Sequence, residues 1–547
     1  MSARLDLGLR LLAVGAGAIL YGLAFPPHDH ATLAWVALVP LLLVVRGRST
    51  WNAFLCGVAY GFTCSATVAG WLAATLAGFF QLPTIAGVLV GALYGLTFWG
   101  ITFGLFAAGA ARVLASHRPV NATISIAALW VATELLRGRV MGQPWCLLGY
   151  SQHAQVPLIQ ISALTAVYGV SFLVALGNAA IAQALALLSA RRPLAALRPL
   201  LFATGVVAAA WIGGSRVVPE NSAPGGVDVA LVQTNVPPAV HWSRAYTDHQ
   251  ILTHTSMTDD NVPDHGTRLT IWPENAVPRY LEVEPGLAAL LAKIARRNDT
   301  DLLFGGPRYD DGRSYNSARL ITSEGRNGGF YDKQRLVLFA EANPLRSPAP
   351  SSPDENPEQF TAGQGTRLLR DSLALGVSIC HEVLFPELSA SAAQAGAQLL
   401  VNISNDGWLD PNTGVASAQH FAMAPFRAVE TRRYLVRAAT TGISGAIDPY
   451  GRVMASLPAG EAGVLHVRVD GRATLTPYSR VGDAFALCCA LLAVVAVAKG
   501  REASTSPAGA DVIRLAARRQ PGVHAPPVWP RSDSGSCGDA ANVGTSA

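Results

Sequence analysis

Long apolar stretches dominate the first 216 residues of the chain. A helix needs roughly 20 mostly apolar residues to cross the hydrocarbon core of a bilayer, and seven runs have this character. They are residues 9–25, 32–45, 53–79, 84–114, 124–136, 158–188 and 200–212. An eighth run, residues 484–498, follows much later. The pattern predicts a polytopic α-helical membrane region of about eight spans, with seven in residues 1–216 and the eighth in residues 481–499.

The positive side chains indicate which way these spans cross. Short cytoplasmic loops are enriched in Lys and Arg, and the positive residues lie mainly on one side of the predicted spans. They are Arg4, Arg10, Arg46, Arg48, Arg112, Arg118, Arg191, Arg192, Arg198, Lys499 and Arg501. The opposite loops, residues 28–31 and 81–83, have none, and only Arg137 and Arg139 go against the trend. We therefore predict cytoplasmic termini and an external segment between spans seven and eight. In a Gram-negative cell this corresponds to a cell inner membrane protein whose long segment is periplasmic.

Residues 226–472 have a different pattern, in which short β-rich apolar runs alternate with helical stretches. The β-rich runs are residues 227–232, 269–272, 302–304, 373–379 and 399–403, and the helical stretches include residues 286–297 and 416–433. This alternation predicts an α/β domain large enough for its own core. Residues 500–547 are rich in Ala, Gly, Ser and Pro, which predicts a disordered cytoplasmic tail.

Composition narrows the class of protein further. Half of the 547 residues are hydrophobic and only 14% are charged, which is typical of a membrane protein. The formal net charge of +5 gives no concentrated basic surface, so nucleic-acid binding is not predicted. The seven cysteines are odd in number and lack metal-binding spacings. We therefore predict no disulfide framework, no metal site and no cofactor.

Three polar residues follow predicted strands of the α/β domain, where such folds place their active sites. They are Glu274, Lys333 and Cys380. A lone Cys at a strand end is more often a small core residue, and a lone Glu or Lys is usually solvated. Together they indicate chemistry, because a thiol needs a nearby base or cation to become a nucleophile. Glu274 is suited to take the thiol proton, and Lys333, with the backbone N–H of His381, to stabilise an oxyanion.

The sequence around these three residues resembles the nitrilase superfamily. Its members carry a Glu, a Lys and a Cys in that chain order, within short motifs that this chain shares. The matching segments are Trp272-Pro-Glu274, Lys333-Gln-Arg-Leu336-Val337, Ile379-Cys380-His381-Glu382 and Asn402-Ile-Ser-Asn-Asp406-Gly-Trp408. The resemblance implies a four-layer αββα sandwich and a covalent thioester on Cys380.

Within that superfamily, the membrane region resembles one branch, the apolipoprotein N-acyltransferases. The similar segments are residues 129–138, residues 143–152, and Gln233-Thr-Asn235-Val-Pro237 followed by Trp242. The resemblance covers nearly all of the chain before the tail. It implies transfer of an acyl chain from a membrane phospholipid, through Cys380, to the α-amine of a diacylglyceryl-cysteine at the N-terminus of an apolipoprotein. The protein is expected to act as a monomer, and the preferred lipid headgroup stays open.

Several further residues have two interpretations each. Glu341 and Glu382 resemble family positions that orient the Lys and support the site, but either is also compatible with a surface carboxylate. Trp242 and Trp408 are candidates for lining the acyl or lipoprotein entrance, or are ordinary packing residues. His381 stands where the family commonly has Tyr. A backbone oxyanion donor does not depend on that side chain, so the predicted mechanism is unchanged.

Two apolar segments and one charged pair are also open to alternatives. Residues 336–339 and 383–385 are either core or loop tips directed toward a bilayer. Glu134 and Arg137 lie at the end of the fifth apolar run, where charge is costly, so they are either paired or functional.

Two other functions compete with acyl transfer. A membrane-anchored amidase would use the same three residues with water, although one span would then suffice. A transporter or lipid-binding protein with an inactive external domain is the second, and the intact Glu274, Lys333 and Cys380 count against it.

Overall fold

Apolar helices form the N-terminal region of the structure, a computed structural model that describes residues 3–220, 225–239, 242–262, 266–343, 359–370, 372–410 and 413–505. The helices are α1 (Ala3–Leu23), α2 (Ala34–Ala37), α3 (Val39–Val45), α4 (Thr50–Val68), α5 (Trp71–Gly78), α6 (Thr84–Tyr94), α7 (Ile101–Ser116), α8 (Pro119–Leu135), α9 (Val156–Ile159), α10 (Ser162–Thr165), α11 (Val167–Ser189) and α12 (Pro193–Val217). Wider π-helical turns join α6 to α7 and extend α8 to Val140.

Four helical stretches of the described chain are long and apolar enough to cross a membrane. They are Thr84–Ser116, Pro119–Val140, Val167–Ser189 and Pro193–Val217. The pair α4 and α5 makes a fifth if it is one bent span. Shorter apolar helices cover Gly8–Leu23, Ala31–Val45, Val156–Thr165 and Ala484–Gly500. These helices fit the predicted membrane protein, whereas the predicted count of eight spans is not confirmed.

The third predicted span, residues 53–79, is broken into two helices that meet at 59°. α4 ends at Val68, and α5 begins at Trp71 after Gly70. A helix end leaves backbone carbonyls without an intrahelical partner. Here Gln419 Nε2, far along the chain, donates to the Val68 carbonyl at 2.9 Å. The bend is therefore stabilised by a partner that the local apolar pattern does not reveal.

The sixth predicted span, residues 158–188, is interrupted in a similar way. The short helices α9 and α10 come first, and Ala166 breaks the run with a φ of +53°. α11 then begins at Val167, whose backbone N–H donates to Glu430 Oε1 at 3.1 Å. A carboxylate is favourable at a helix N-terminus because it meets unpaired N–H groups and the positive end of the helix dipole. The start of α11 is thus set by the C-terminal domain.

Two six-stranded sheets form that domain. The strands are β1 (Val227–Gln233), β2 (Leu269–Ile271), β3 (Asp301–Asp310), β4 (Arg313–Ile321), β5 (Asn327–Asp332), β6 (Leu369–Arg370), β7 (Ala374–Ile379), β8 (Leu399–Ser404), β9 (Leu435–Ala439), β10 (Ser444–Ile447), β11 (Val453–Leu457) and β12 (Gly463–Val469). The sheet orders are β12-β1-β2-β3-β4-β5 and β11-β10-β9-β8-β7-β6. Strands β1 to β3 are parallel, as are β7 to β9, so each set brings its carboxyl ends to one edge.

The sheets pack face to face, with helices on both outer faces. The helices are α13 (Arg244–Asn261), α14 (Pro285–Arg297), α15 (Pro386–Gln394) and α16 (Val415–Thr431). Val229 of the first sheet and Val377 of the second share the core between the sheets. Leu291 of α14 packs in a separate core on the outer face of the first sheet, and Met423 of α16 belongs to a third core. These are the αββα layers that the resemblance implies.

The layer of α15 and α16 also packs against the N-terminal helices. Phe426 of α16 meets Tyr150 edge-to-face with ring centroids 4.9 Å apart, and both belong to one buried core with Trp130. After the sheets, α17 (Pro477–Val481) and α18 (Ala484–Thr505) follow, and α18 packs on α7 and α8. α18 therefore extends past the predicted span 481–499 into the predicted tail. Residues 506–547 of that tail lie outside the described residues.

Candidate active site

Cys380 lies immediately after β7, at the edge where parallel strands end. It is the first residue of a 3₁₀ turn, Cys380–Leu384, and its backbone has a φ of +55°. A non-glycine residue in this left-handed region is strained, and such strain is maintained only where surrounding contacts enforce it. The amide of Asn402 supplies one contact by donating to the Cys380 carbonyl at 3.2 Å. The side chain is 2% exposed, so the thiol is enclosed within the domain.

Glu274 and Lys333 come from the other sheet and form an ion pair. Glu274 follows β2 and Lys333 follows β5, and Lys333 Nζ donates to Glu274 Oε1 at 3.1 Å. Both are buried, with exposures of 3% and 1%. They line one pocket together with Cys380. The three residues that the sequence predicts to react together are therefore brought to one place by two different sheets.

The charges of the pocket are unevenly placed around the thiol. Burial raises the pKa of the Cys380 thiol, and nearby Glu274 raises it further although Lys333 opposes this. Burial also acts to lower the pKa of Lys333, but Glu274 and Glu341 outweigh it and hold that pKa well above its ordinary value. At neutral pH the site thus has a protonated thiol and a protonated amine. A protonated thiol needs a base before it can act as a nucleophile.

Glu341, which the sequence offers as a supporting residue, lies beside Lys333. Its Oε1 accepts from Lys333 Nζ at 2.7 Å, and its Oε2 accepts from the Val337 N–H at 2.8 Å. The ammonium of Lys333 therefore lies between two carboxylates. Asn316 joins these carboxylates as well, because its Nδ2 donates to Glu274 Oε1 and Glu341 Oε1, each at 2.8 Å.

Two residues that fix Glu274 were not predicted. Asn316 is one: it is buried within β4, and no motif in the sequence singles it out. Asn405 is the other, since its backbone N–H donates to Glu274 Oε2 at 2.9 Å. A backbone donor leaves no trace in the residue type. It could have been suspected only because Asn405 lies inside the matched segment 402–408.

Glu382 is fully buried and joins the turn that begins at Cys380 to the segment around Lys333. One oxygen accepts from the Ile379 N–H at 2.8 Å, and the other accepts from the N–H groups of Gln334 and Arg335 at 2.6 and 3.0 Å. Tyr331 donates its hydroxyl to the same carboxylate. Burial raises the pKa of Glu382 to about 7, although these backbone donors counteract it.

The side chain of His381 points away from the reacting groups. Its ring packs edge-to-face on Phe385 with centroids 5.6 Å apart. Burial, followed by the charge of Lys333, lowers the pKa of His381 well below its ordinary value, so the ring is neutral. Among the described residues that line the pocket, Cys380 is present and His381 is not. A role for this residue therefore falls on its backbone.

Aromatic side chains line the same pocket as the polar residues. Both predicted entrance residues, Trp242 and Trp408, line the same cavity of about 200 Å³ as Cys380. Phe79 and Phe80, at the end of α5, also line it, and each ring lies 6.2 Å from a Trp408 ring. No local signal in the sequence associates these two residues of the helical region with the site. Aromatic walls of this kind suit an apolar ligand with a polar reacting end.

The two apolar segments left open above have different environments. Val383 and Phe385 are 1% and 3% exposed and belong to the core shared with the N-terminal helices. The idea that this segment is a loop tip is therefore wrong. Val337 lines the pocket, whereas the next two residues, Leu338 and Phe339, are 50% and 65% exposed.

Glu134 and Arg137 are both buried at the end of α8, and each has its own partners. Glu134 Oε1 accepts from Trp130 Nε1 at 2.9 Å. Arg137 donates to the Trp145 carbonyl at 2.9 Å and lies 4.2 Å over the Trp99 ring. The two charged residues are thus stabilised by indole and backbone groups.

Comparison with known families agrees with both regions. Residues 17–180 match the model of the apolipoprotein N-acyltransferase N-terminal domain, and residues 228–478 match that of the carbon-nitrogen hydrolases. Among solved structures, a carbon-nitrogen hydrolase from Helicobacter pylori is 16% identical with a TM-score of 0.36, covering 45% of this chain and 89% of its own. A nitrilase-superfamily amidase from Nesterenkonia is 21% identical with a TM-score of 0.36, covering 49% and 98%.

Full-length relatives are more similar. An apolipoprotein N-acyltransferase from Geobacter metallireducens is 34% identical over 512 residues, covering 89% of this chain and 94% of the relative. One from Azotobacter vinelandii is also 34% identical, over 86% of this chain and 91% of the relative. One from Pseudomonas aeruginosa is 31% identical over 86% and 91%. Alignment over nearly the whole length of these proteins includes the helical region as well as the sandwich, and the chain therefore belongs to the apolipoprotein N-acyltransferase family.

Proposed function

We propose that this protein transfers a fatty acyl chain from a membrane phospholipid, through a thioester on Cys380, to the α-amine of the N-terminal diacylglyceryl-cysteine of apolipoproteins. One observation carries the proposal. A buried Cys, Lys and Glu share a pocket whose wall includes Phe79 and Phe80 from the apolar helical region. A water-soluble amidase would not need to complete its pocket with such helices.

In the first half-reaction, Cys380 Sγ attacks the ester carbonyl carbon of the phospholipid while Glu274 takes the thiol proton. The carbonyl oxygen becomes an oxyanion, which the Lys333 ammonium and the backbone N–H of His381 stabilise. Collapse of this intermediate breaks the ester C–O bond. The proton on Glu274 passes to the leaving alkoxide, and a lysophospholipid departs.

In the second half-reaction, the α-amine of the acceptor attacks the thioester carbonyl carbon. Glu274 takes a proton from the attacking nitrogen, the C–S bond breaks, and the thiol of Cys380 is restored with a proton from Glu274. The product is an amide. Glu341 holds Lys333 in place through both steps, as their 2.7 Å contact supports, and Glu382 holds the turn that carries Cys380.

The thioester has to wait while the lysophospholipid leaves and the acceptor arrives. We assign Trp242 and Trp408 to binding the acyl chain and the lipidated acceptor at the pocket mouth, with Phe79 and Phe80 beside them. Apolar walls of this kind exclude water and protect the thioester from hydrolysis. We assign no metal and no cofactor to either step.

The membrane arrangement belongs to the same proposal. We infer eight spans in the inner membrane of a monomeric protein, seven within residues 1–216 and the last within residues 481–499. The catalytic domain, residues 226–472, faces the periplasm, where apolipoprotein acceptors are anchored, and both termini are cytoplasmic. The one-sided distribution of Arg and Lys supports this orientation.

The decisive experiment looks for the thioester itself. Purified protein is incubated with phospholipid micelles and no acceptor, digested, and examined by mass spectrometry. The peptide with Cys380 should gain an acyl group that hydroxylamine removes. Cys380→Ala should form no adduct, while Cys488→Ala, which changes an exposed cysteine of α18, should acylate normally. Acylation of the Cys380→Ala protein, or release of ammonia from small amides in place of acyl transfer, would refute the proposal.

A further inference from the structure

A buried polar network lies next to the site and takes no part in the bond-making steps assigned above, although one of its members, Asn402, donates to the Cys380 carbonyl. Its members are Asn402 on β8, Asp406 just after β8, His420 on α16 and Arg437 on β9. All four are at most 2% exposed. Burying an ion pair costs desolvation energy that the pair does not always recover, so such a network invites a functional explanation.

The network is anchored by the guanidinium of Arg437. Its Nη2 donates to Asp406 Oδ2 at 2.6 Å, and its Nη1 donates to Asn402 Oδ1. An arginine can only donate, so the Asn402 oxygen faces Arg437 and the Asn402 amide N–H groups face the opposite way. The planar fork of Arg437 thus fixes two side chains at once, which a single-point lysine amine cannot do.

His420 holds the other side of the Asp406 carboxylate. Its Nδ1 lies 3.0 Å from Asp406 Oδ1 and also 3.0 Å from Arg437 Nη2. Because Arg437 can only donate, the two contacts need opposite tautomers. The Nδ1–H form donating to Asp406 is favoured. It leaves the buried Nε2, for which the described residues offer no hydrogen-bond partner, as a bare acceptor and not as an unpaired N–H.

One branch of the network reaches the nucleophile. Ser378, Asn402 and Arg437 pair in register across the adjacent parallel strands β7, β8 and β9. The Asn402 amide donates to the Ser378 carbonyl at 3.1 Å and to the Cys380 carbonyl at 3.2 Å. It therefore restrains the end of β7 and the carbonyl of Cys380 itself, whose φ is +55°, at the start of the strained turn.

The other branch reaches the proposed base. Asp406 Oδ1 also accepts from the Ser404 hydroxyl at 2.6 Å, so the chain on both sides of Asn405 is restrained. The Asn405 N–H donates to Glu274 Oε2 at 2.9 Å. The Arg437–Asp406 pair thus links the two branches: Asn402 holds the Cys380 turn, and the chain around Asn405 holds Glu274.

We propose that Arg437 and Asn402 are positioning residues, which hold the Cys380 turn and the Asn405 N–H so that Cys380 Sγ and Glu274 keep their reactive geometry. This inference rests on the proposed function of Cys380. A displacement of about 1 Å at reacting groups costs on the order of 10²-fold in rate. The network should therefore affect the rate of acylation and leave lipid binding unchanged.

Two variants and a matched control test the inference. Arg437→Lys keeps the charge opposite Asp406 but loses the fork. Asn402→Asp keeps an acceptor for Arg437 but loses the donor to Cys380. Arg433→Lys is the control, because Arg433 is equally buried but donates to the backbone carbonyls of Ala397 and Thr474, away from the site. All proteins are compared by melting midpoint in detergent.

Acylation of Cys380 by phospholipid is then followed in a single turnover from pH 6 to 9. Arg437→Lys and Asn402→Asp should slow it by about 10²-fold with an unchanged half-saturating lipid concentration. The acylation rate should fall by the same factor at every pH, so that the midpoints of the pH profile do not move. A purely electrostatic effect of the carboxylate in Asn402→Asp would instead shift those midpoints. Arg433→Lys should acylate at nearly the wild-type rate even where its melting midpoint falls as far.

Alkylation of Cys380 by iodoacetamide separates this inference from the proposed function. If the wild type forms no acyl adduct, the proposed function fails, and alkylation alone then decides the positioning role. The inference predicts slower alkylation in Arg437→Lys and Asn402→Asp, since the thiol is displaced from its base. Wild-type rates of alkylation and acylation in Asn402→Asp, or equal slowing in Arg433→Lys, would overturn it.

Discussion

Lys333 illustrates how a buried charge is kept at this site. Its ammonium is 1% exposed, which by itself would favour the neutral amine. Carboxylates of Glu274 and Glu341 at 3.1 and 2.7 Å reverse that preference. One positive charge then stands between two negative ones, and Asn316 donates to both carboxylates. The site is therefore polar and fixed before any ligand arrives, as preorganised stabilisation of a developing oxyanion requires.

Replacing Glu274 by Gln tests its assignment as the base. Every partner of its carboxylate is a donor, namely Lys333 Nζ, Asn316 Nδ2 and the Asn405 N–H. Glu274→Gln can neither take the thiol proton nor accept from all three, so acylation of Cys380 should slow by about 10²–10⁴-fold. Single-turnover mass spectrometry measures this rate. Glu284→Gln, which alters a partly exposed carboxylate paired with Arg244, is the control and should behave as wild type.

A fall of less than tenfold in Glu274→Gln would remove Glu274 from the role of base. Its contact with Lys333 would then be structural.

The pH dependence of stability should report on Glu382. Its pKa of about 7 in the folded protein exceeds the roughly 4.3 of an unperturbed Glu. Between these values the folded state binds a proton that the unfolded state has lost, so this residue makes stability fall as pH rises toward 7 and level off above it. Glu430, whose burial also raises its pKa to about 7, acts in the same direction. Glu382→Gln should flatten the slope in part.

Melting midpoints in detergent at pH 5, 6, 7 and 8 measure this slope. Glu382→Gln is compared with wild type and with Glu387→Gln, whose carboxylate lies on the neighbouring helix α15 and is partly exposed. A Glu382→Gln protein with the full wild-type slope would show that Glu382 is ionised throughout this range in the folded state.

At the scale of elements, α16 joins the sandwich to the helical region. Gln419 of α16 accepts from Trp71 Nε1 and Trp145 Nε1 and donates to the carbonyls of Pro26 and Val68. These four groups belong to separate segments of the N-terminal region. Eight residues further along α16, Arg427 donates to the Val383 and Leu384 carbonyls in the turn that begins at Cys380. α16 therefore holds both the bend between α4 and α5, next to the pocket residues Phe79 and Phe80, and the turn that carries Cys380.

Replacing Gln419 should loosen the part of the pocket that Phe79 and Phe80 line. In Gln419→Leu, two indole N–H groups and two carbonyls lose a buried partner, at a cost on the order of 1–3 kcal/mol for each unsatisfied group. Trp71 begins α5, and Phe79 and Phe80 follow its end. We expect a lower melting midpoint and a several-fold higher half-saturating phospholipid concentration. Alkylation of Cys380 by iodoacetamide should stay at the wild-type rate. The turn that carries Cys380 is held by Asn402, Glu382 and Arg427, which this change leaves in place.

Gln183→Leu is the matched control for that change. Gln183 is also buried, on α11. Among the described residues, its side-chain oxygen Oε1 accepts a side-chain hydrogen bond from Arg46 alone, at 2.8 Å. A half-saturating lipid concentration that rises equally in both variants would show a general loss of helix packing and no special role for α16.

The sequence allowed prediction of features with a local signal. Alternating apolar runs predicted the α/β domain, and short motifs led to Glu274, Lys333 and Cys380. The resemblance to apolipoprotein N-acyltransferases is confirmed by relatives that align over nearly their whole length. Features set by distant partners were missed. The bend after Val68 depends on Gln419, and the start of α11 depends on Glu430. A prediction from apolar runs alone therefore treated each of these spans as continuous.

At the scale of the whole molecule, the parity of membrane crossings decides what the active site can reach. An odd number of spans before residue 226 places the sandwich on the side opposite the N-terminus, and an even number places it on the same side. Four helical stretches in this region meet the length and composition required of a span, and the pair α4 and α5 makes five. The proposed seven spans and the five candidate spans are both odd numbers, so they place the domain on the same side. Four spans would place it on the opposite side.

Paired reporter fusions measure that parity directly. Green fluorescent protein fluoresces when its fusion point is cytoplasmic, and alkaline phosphatase is active when it is external. Fusions at the N-terminus, at residue 190 after α11 and at residue 520 should fluoresce, because Arg and Lys cluster on that side. Fusions after Asp311, in the turn between β3 and β4, should instead have phosphatase activity. Each site carries both reporters in turn, so that a poorly expressed fusion is not mistaken for a topology. Fluorescence from the Asp311 fusion would place Cys380 in the cytoplasm, away from periplasmic lipoproteins, and the proposed acceptor would then be wrong even if the thioester forms.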